Sequence, residues 1–262
     1  MPQVNLRPDT LDDDNRRFRQ LALPAPLFLN SVPKSGTHLL RNIIRMFVPV
    51  AQQYKRQFIQ WANMDEHLDA WHPKMNMLSW GHLFFSDKSA IELSGVRKVL
   101  LYRDPYDWVL ARARFFLSEQ FDGNIDILRD RKLSVNDLLS LMIFGIYQKA
   151  PSLNETYSHN AAAWLASADC VVRLEDLKHH LANLERPAAA EFFANLLTRC
   201  GIDVPDDWLE RVRIGADPRQ SGTARDNLTG IAVDIPNELP DLHKRMVDYE
   251  APGLRRLLGY AD

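Results

Sequence analysis

The sequence predicts an α/β fold with a mainly parallel central sheet flanked by helices on both faces. Three short apolar runs, Leu27–Asn30, Val99–Tyr102 and Val171–Leu174, lack the apolar/polar alternation of a half-exposed strand and suit strands buried on both faces. Segments with apolar residues at helical spacing lie between and after them, and alternating strands and helices imply parallel crossovers. A chain of 262 residues, 46% hydrophobic and 25% charged, has enough apolar material for one large domain. That domain is expected over 27–262, behind an N-terminal arm or peripheral helix over 1–26 that Pro24 and Pro26 set apart.

The first strand, Leu27–Asn30, leads through Ser31-Val32-Pro33-Lys34-Ser35-Gly36-Thr37 into a helix marked by Leu39, Leu40, Ile43, Ile44 and Phe47. The second, Val99–Tyr102, turns at Arg103-Asp104-Pro105 into a helix from about Tyr106 to Ser118, with Asp and Pro where a helix begins. Ser134 is a candidate N-cap for a helix through Leu138, Leu141, Met142 and Ile146 that Pro151 closes. A helix is expected over Tyr157–Ala168, a strand over Val171–Leu174, and a last helix over Glu191–Cys200 ended by Gly201.

The net charge of −2 speaks against bulk attraction to nucleic acid or an acidic membrane. Cys170 and Cys200 are the only cysteines, with no short spacing and no Cys/His cluster, so neither a disulfide framework nor a structural zinc site is indicated. The first twenty residues are polar and carry Asp9, Asp12, Asp13 and Asp14 where a secretory leader needs an apolar centre. No apolar run approaches a membrane span, so a cytoplasmic protein without membrane insertion is expected.

The segment from Val32 to Thr37 joins a buried strand to an amphipathic helix, the arrangement that presents backbone N–H groups to an anion. Gly36 allows close backbone approach, Thr37 adds a hydroxyl and Lys34 a mobile charge. From Asn15 to Met64 there is no Asp or Glu, whereas Arg16, Arg17, Arg19, Lys34, Arg41, Arg45, Lys55 and Arg56 fall there. Charge of one sign beside a helix N-terminus favours a dianion. A magnesium-dependent nucleotidase would place Gly-Lys-Ser or Gly-Lys-Thr at the end of such a loop, and here Lys34 precedes Gly36.

Val32-Pro33-Lys34-Ser35-Gly36-Thr37 resembles the 5′-phosphosulfate loop of the sulfotransferases that use 3′-phosphoadenosine 5′-phosphosulfate (PAPS). Val99–Asp107 is similar to their 3′-phosphate segment and Val172–Leu177 to a later strand. The helix Phe192–Cys200, with Gly201-Ile202 and Val204-Pro205, is similar to the family's next segment, and all these matches stand in family order from about residue 27 to 230. The resemblance implies a P-loop-like sulfotransferase architecture. It also implies PAPS as donor, adenosine 3′,5′-bisphosphate as product, no metal, and a small-molecule acceptor with a hydroxyl or amine.

It assigns Lys34 to the bridging oxygen and His82 to the base, with Glu66, His67 and His72 as reserves. Ser35, Gly36, Thr37 and His38 are expected around the 5′ end, Arg103 on the 3′-phosphate, Arg219 and Arg225 in a basic loop over the nucleotide. Four positions depart from the family pattern: His38 replaces a second Thr, Leu39 an aromatic, Ala111 a Ser and Leu174 a Tyr. Arg114, one turn beyond Ala111, is expected to supply the missing 3′-phosphate contact.

Two alternatives stay open: a P-loop kinase or nucleotide hydrolase with Asp104 on a metal, and a nucleotide-binding protein of the same fold without chemistry. Trp61, Trp71, Met75, Met77, Trp80, Phe84 and Phe85 are candidates for an acceptor wall that suits an apolar or aromatic molecule. The sequence leaves the oligomeric state open, a homodimer included.

Overall fold

A computed structural model describes the chain apart from residues 1–2, 5–7, 57, 124–127, 129–132, 222–223, 225–226, 232 and 262. Its strands are β1 Gln3–Val4, β2 Leu27–Ser31, β3 Ile59–Gln60, β4 Leu78–His82, β5 Arg97–Tyr102, β6 Phe121–Asp122 and β7 Cys170–Arg173. The helices are α1 Leu11–Arg16, α2 Thr37–Arg45, α3 Asp87–Glu92, α4 Pro105–Leu117, α5 Val135–Phe144, α6 Leu153–Asn160, α7 Leu174–Leu181, α8 Pro187–Arg199, α9 Trp208–Gly215, α10 Asp241–Glu250 and α11 Leu254–Leu257. They form two compact units: Asp9–Tyr102 with His159–Gln220, and Met1–Pro8 with Arg103–Ser158 and Ser221–Asp262.

The first unit holds a five-stranded sheet in the order β3-β4-β2-β5-β7, with every neighbouring pair parallel, as the apolar runs predict. Residues of alternating parity face opposite sides. Leu27, Leu29, Leu78, Trp80, Val99, Leu101 and Val172 form one core with Leu40, Ile43 and Ile44 of α2 and with Leu177, Phe193 and Leu197. Each such aliphatic side chain stabilises the fold by roughly 2 kcal/mol when fully buried. On the other side Phe28 meets the edge of Trp71, and the Asn30 side chain accepts from Leu83 N–H at 2.9 Å. β3 and β4 are strands that the apolar pattern does not reveal, because Ser79 and Gly81 interrupt it.

α1 is clamped to α2 by Arg45, which is buried and donates to both oxygens of Asp9 at 2.7 and 3.1 Å and to Asp12 at 2.9 Å. Lys55 also pairs with Asp12, Arg16 with Asp13, Arg17 with Asp14, and Arg56 with Asp69. The acid-free stretch is therefore largely neutralised by carboxylates that lie before or after it. α8 starts at Pro187, one turn earlier than its periodicity predicts, because Pro187 occupies the first helical position. It ends as expected: Gly201, at φ 76°, donates to Thr198 O and Ile202 donates to Leu197 O, closing a Schellman motif. Leu174 opens α7 instead of ending the last strand.

In the other unit, the Asp104 side chain caps α4 by accepting from Tyr106 N–H, with Pro105 at the first helical position. Ser134 caps α5 as expected, but α5 stops at Phe144, where Gly145 adopts φ 89°. Pro151-Ser152 instead starts the next helix: the Ser152 hydroxyl accepts from Glu155 N–H at 3.2 Å. The helix expected over Tyr157–Ala168 accordingly runs as α6, and non-helical Ala161 separates it from a short turn at Ala162–Trp164, which belongs to the first unit. Among the described residues no helix is long and apolar enough to cross a membrane. Both cysteines are free and buried; burial raises the Cys170 thiol to about 11 and pushes Cys200 up further.

Candidate active site

In an open parallel sheet, ligands bind beyond the carboxyl ends of the strands, where connections leave to opposite sides. From β2 the chain crosses to β3 and β4 on one side, then returns past β2 to β5 on the other. That point is the end of β2, from which the Val32–Gly36 loop departs.

The loop is shaped by two left-handed residues, Lys34 at φ 67° and Gly36 at φ 88°. Gly36 is at home there; Lys34 is not, and such strain is held where the surrounding structure dictates it. A Cβ on Gly36 would lie 2.5 Å from Leu174 Cδ1, so the loop lies directly against α7. No side chain caps α2 and its first turn has no acid, which leaves the helix N-terminus open. The Ser35 hydroxyl is fully buried and has no hydrogen-bond partner.

The Thr37 hydroxyl lies 2.7 Å from the Ser31 hydroxyl, which lies 3.2 Å from His82 Nδ1. His82 ends β4, beside the end of β2, and its Nδ1 is 2.9 Å from the Ser31 carbonyl oxygen. A carbonyl can only accept, so Nδ1 carries the proton and Nε2 keeps its lone pair. Burial lowers the His82 pKa to about 4; the Ser31 carbonyl opposes this and the charge of Lys34 adds to it. The imidazole is therefore neutral near neutral pH, with its lone pair on Nε2.

Phe58 packs 5.4 Å from the His82 ring and 5.2 Å from that of His38. His38 is held well below its ordinary pKa by burial first, then by the charges of Arg41 and Lys34. Gly81 permits this crowding, since a Cβ there would lie 1.9 Å from the Ile59 carbonyl oxygen. The Arg41 guanidinium lies over the Trp80 ring, 4.3 Å from its centroid.

No protein-family model and no curated protein matches the sequence. Among solved structures, mouse sulfotransferase SULT7A1 complexed with PAP aligns with 96% of this chain and 92% of its own, at a TM-score of 0.56 and 16% identity. The chain has the sulfotransferase fold. Retinol dehydratase in complex with androsterone and the inactive cofactor PAP aligns with 96% of this chain and 86% of its own, at a TM-score of 0.51 and 14% identity.

Within the sulfotransferase fold, the residues singled out from sequence fall into separate groups. Lys34, Ser35, Gly36, Thr37, His38 and His82 come together at the ends of β2 and β4. Arg103 comes directly after β5; its carbonyl accepts from the Tyr157 hydroxyl at 3.0 Å and its guanidinium is 3.9 Å from Asp107. Arg114 donates to the carbonyls of Ile235 and Pro236 at 3.3 and 2.5 Å. Arg219 is exposed and turned onto Asp217 at 2.6 Å, and Arg225 lies outside the described residues. Asp104 is engaged by Arg255 at 3.0 Å as well as by the α4 N-terminus.

The reserves separate from the loop: His67 is buried against Tyr54, and Glu66 and His72 are exposed. Of the aromatic candidates, Trp71 and Phe85 pack on Phe28 and Trp164, and Trp80 stays near His82 through Phe58. Ser31, Phe58 and Arg41 are the residues that sequence reasoning did not single out as site members. Only Arg41 carried a signal, as a cation one turn into α2.

Proposed function

We propose that the chain is a sulfotransferase that moves a sulfuryl group from PAPS to a hydroxyl or amine of a small-molecule acceptor. The observation that carries this reading is a neutral His82, oriented through Nδ1 by the Ser31 carbonyl, beside a loop with an open helix N-terminus. Both halves are needed: an anion cradle alone suits many nucleotides, and a histidine alone suits many acids and bases.

The loop fits a phosphosulfate on two counts. The orphaned Ser35 hydroxyl awaits an acceptor, and no side chain caps the N-terminus of α2 that follows Gly36. PAPS, when bound, supplies the sulfuryl group and the leaving phosphate. The N–H groups of the first turn of α2, with Ser35 and Thr37, hold its 5′ end, and Lys34 places positive charge on the bridging oxygen. His82 Nε2 takes the acceptor's proton, while the Ser31 carbonyl keeps the ring oriented and favours the imidazolium so formed. Arg103 binds the 3′-phosphate through charge-assisted hydrogen bonds. Arg114 adds its charge to that end of the nucleotide, and Arg219 and Arg225 are assigned to the basic loop over it.

The test is incubation with PAPS and a panel of phenols, alcohols and amines, followed by mass spectrometry, with and without chelator. Sulfated product with equimolar adenosine 3′,5′-bisphosphate is expected, unaffected by the chelator. His82→Ala should abolish transfer and retain bisphosphate binding. Transfer that requires magnesium, or full turnover in His82→Ala, would overturn the reading.

A further inference from the structure

Among the described residues Arg41 is a cation with no carboxylate paired to it. Its Nε is buried with no hydrogen-bond partner, and among the described residues it forms no ion pair. Asp9 and Asp12 lie near enough to be felt, yet Arg45 and Lys55 pair with them, so those four charges cancel. Burial is the main reason that the Arg41 pKa falls to about 10, with the neighbouring Arg45 second. Arg41 is half-buried with its Nε withdrawn from water, and a guanidinium partly desolvated and left unmatched is costly unless something anionic meets it. The ring of Trp80 compensates only in part, since a cation–π contact contributes about 0.5–2 kcal/mol.

The position of this charge is informative. Trp80 and His82 are two residues apart on one face of β4, which sets their side chains about 7 Å apart along the strand. Phe58 stands beside both, 6.5 Å from Trp80 and 5.4 Å from His82. A molecule with its hydroxyl at His82 Nε2 thus reaches toward Arg41 across about the length of one aromatic ring, along Phe58.

We propose that Arg41 and Trp80 form an anion subsite for the acceptor, and that the acceptor is a phenol or amine carrying a carboxylate at its far end. This rests on the transfer reading for the end of the acceptor that reacts, but the subsite itself can be measured without turnover.

The experiment measures equilibrium binding of 4-hydroxyphenylacetate and of its uncharged methyl ester to the protein saturated with adenosine 3′,5′-bisphosphate. Wild type, Arg41→Gln and Arg41→Lys are compared, with sulfuryl transfer from PAPS to both compounds assayed in parallel. Wild type should favour the acid by at least about tenfold, the scale of one charge-assisted contact. Arg41→Gln should abolish that preference with bisphosphate affinity unchanged, and Arg41→Lys should restore part of it. Thermal melting establishes that each variant is folded, and the lysine variant retains the test if the glutamine variant is not. Equal binding of acid and ester by wild type, or a preference that survives Arg41→Gln, would overturn the subsite. Loss of bisphosphate affinity with the preference intact would place Arg41 on the donor and overturn it too. An Arg41-dependent preference without transfer from PAPS would uphold the subsite and sink the transfer reading.

Discussion

His82 is held between effects of opposite sign: burial and the Lys34 charge favour the neutral ring, and the Ser31 carbonyl favours the charged one. Burial prevails, so the folded protein takes up this proton only near pH 4, whereas an unfolded chain does so near 6.5. The acid limb of kcat/KM, which reports the free enzyme, should therefore be centred near 4–5; a limb centred at 6.5 would remove His82 as the base. Between those two values the unfolded state binds more protons, so stability declines as pH falls from 6.5 toward 4 and levels off below. Denaturant titrations of wild type and His82→Gln at pH 4 to 7 should show a shallower decline in the variant. Lys34 offers a different contrast, because its left-handed backbone suits glycine. Lys34→Gly should be at least as thermally stable as wild type and turn over roughly 10²–10³ times more slowly. Near-wild-type turnover would end its assignment. Lys34 and His82 were legible because a charge between Pro33 and Gly36, and a histidine upstream of an Arg-ended strand, are local signals. Ser31 was not: its hydroxyl and carbonyl act on a residue 51 positions away, and only strand register brings the two together.

At the scale of elements, β4 carries the site, and it was the strand least visible in the sequence. Leu78-Ser79-Trp80-Gly81-His82 has neither an apolar run nor useful alternation, because both faces are covered and Gly81 answers to the Ile59 carbonyl. Gly81→Ala puts a methyl against that oxygen, pushes β3 from β4 and moves Phe58 relative to His82. It should cost roughly 1–3 kcal/mol in a denaturant titration, as overpacking usually does, and lower kcat while leaving bisphosphate affinity unchanged. An unaltered kcat would show that Phe58 does not help to position the base. Helices were easier to read where a cap marks them: Asp104 with Pro105, Ser134, and Gly201 all lie where the sequence puts them. Pro151 misled because proline both ends and begins helices, and only the Ser152 hydroxyl on Glu155 decides which.

For the whole molecule, charge is the property that sequence order represents least well. The acid-free stretch suggests a broad positive field, yet Asp9, Asp12, Asp13, Asp14 and Asp69 neutralise most of it. Nucleotide selectivity should accordingly depend on a few placed cations and not on bulk attraction. Adenosine 3′,5′-bisphosphate should raise the melting temperature more than adenosine 5′-monophosphate does at equal concentration. Arg103→Ala should erase that difference, a loss of about 1.5–3 kcal/mol confined to the bisphosphate. If the difference survives, the 3′-phosphate is held elsewhere. The two buried cysteines give this equilibrium a second, chemical readout. Cys170 on β7 and Cys200 after α8 are protonated and shielded, so a bulky thiol reagent reaches them only when the sheet core opens. Where reclosing outpaces labelling, the labelling rate is proportional to the open population. Saturation with bisphosphate at a hundred times its Kd should then slow labelling by about a hundredfold, so the thiols time the opening of the core and register each bound nucleotide as a delay.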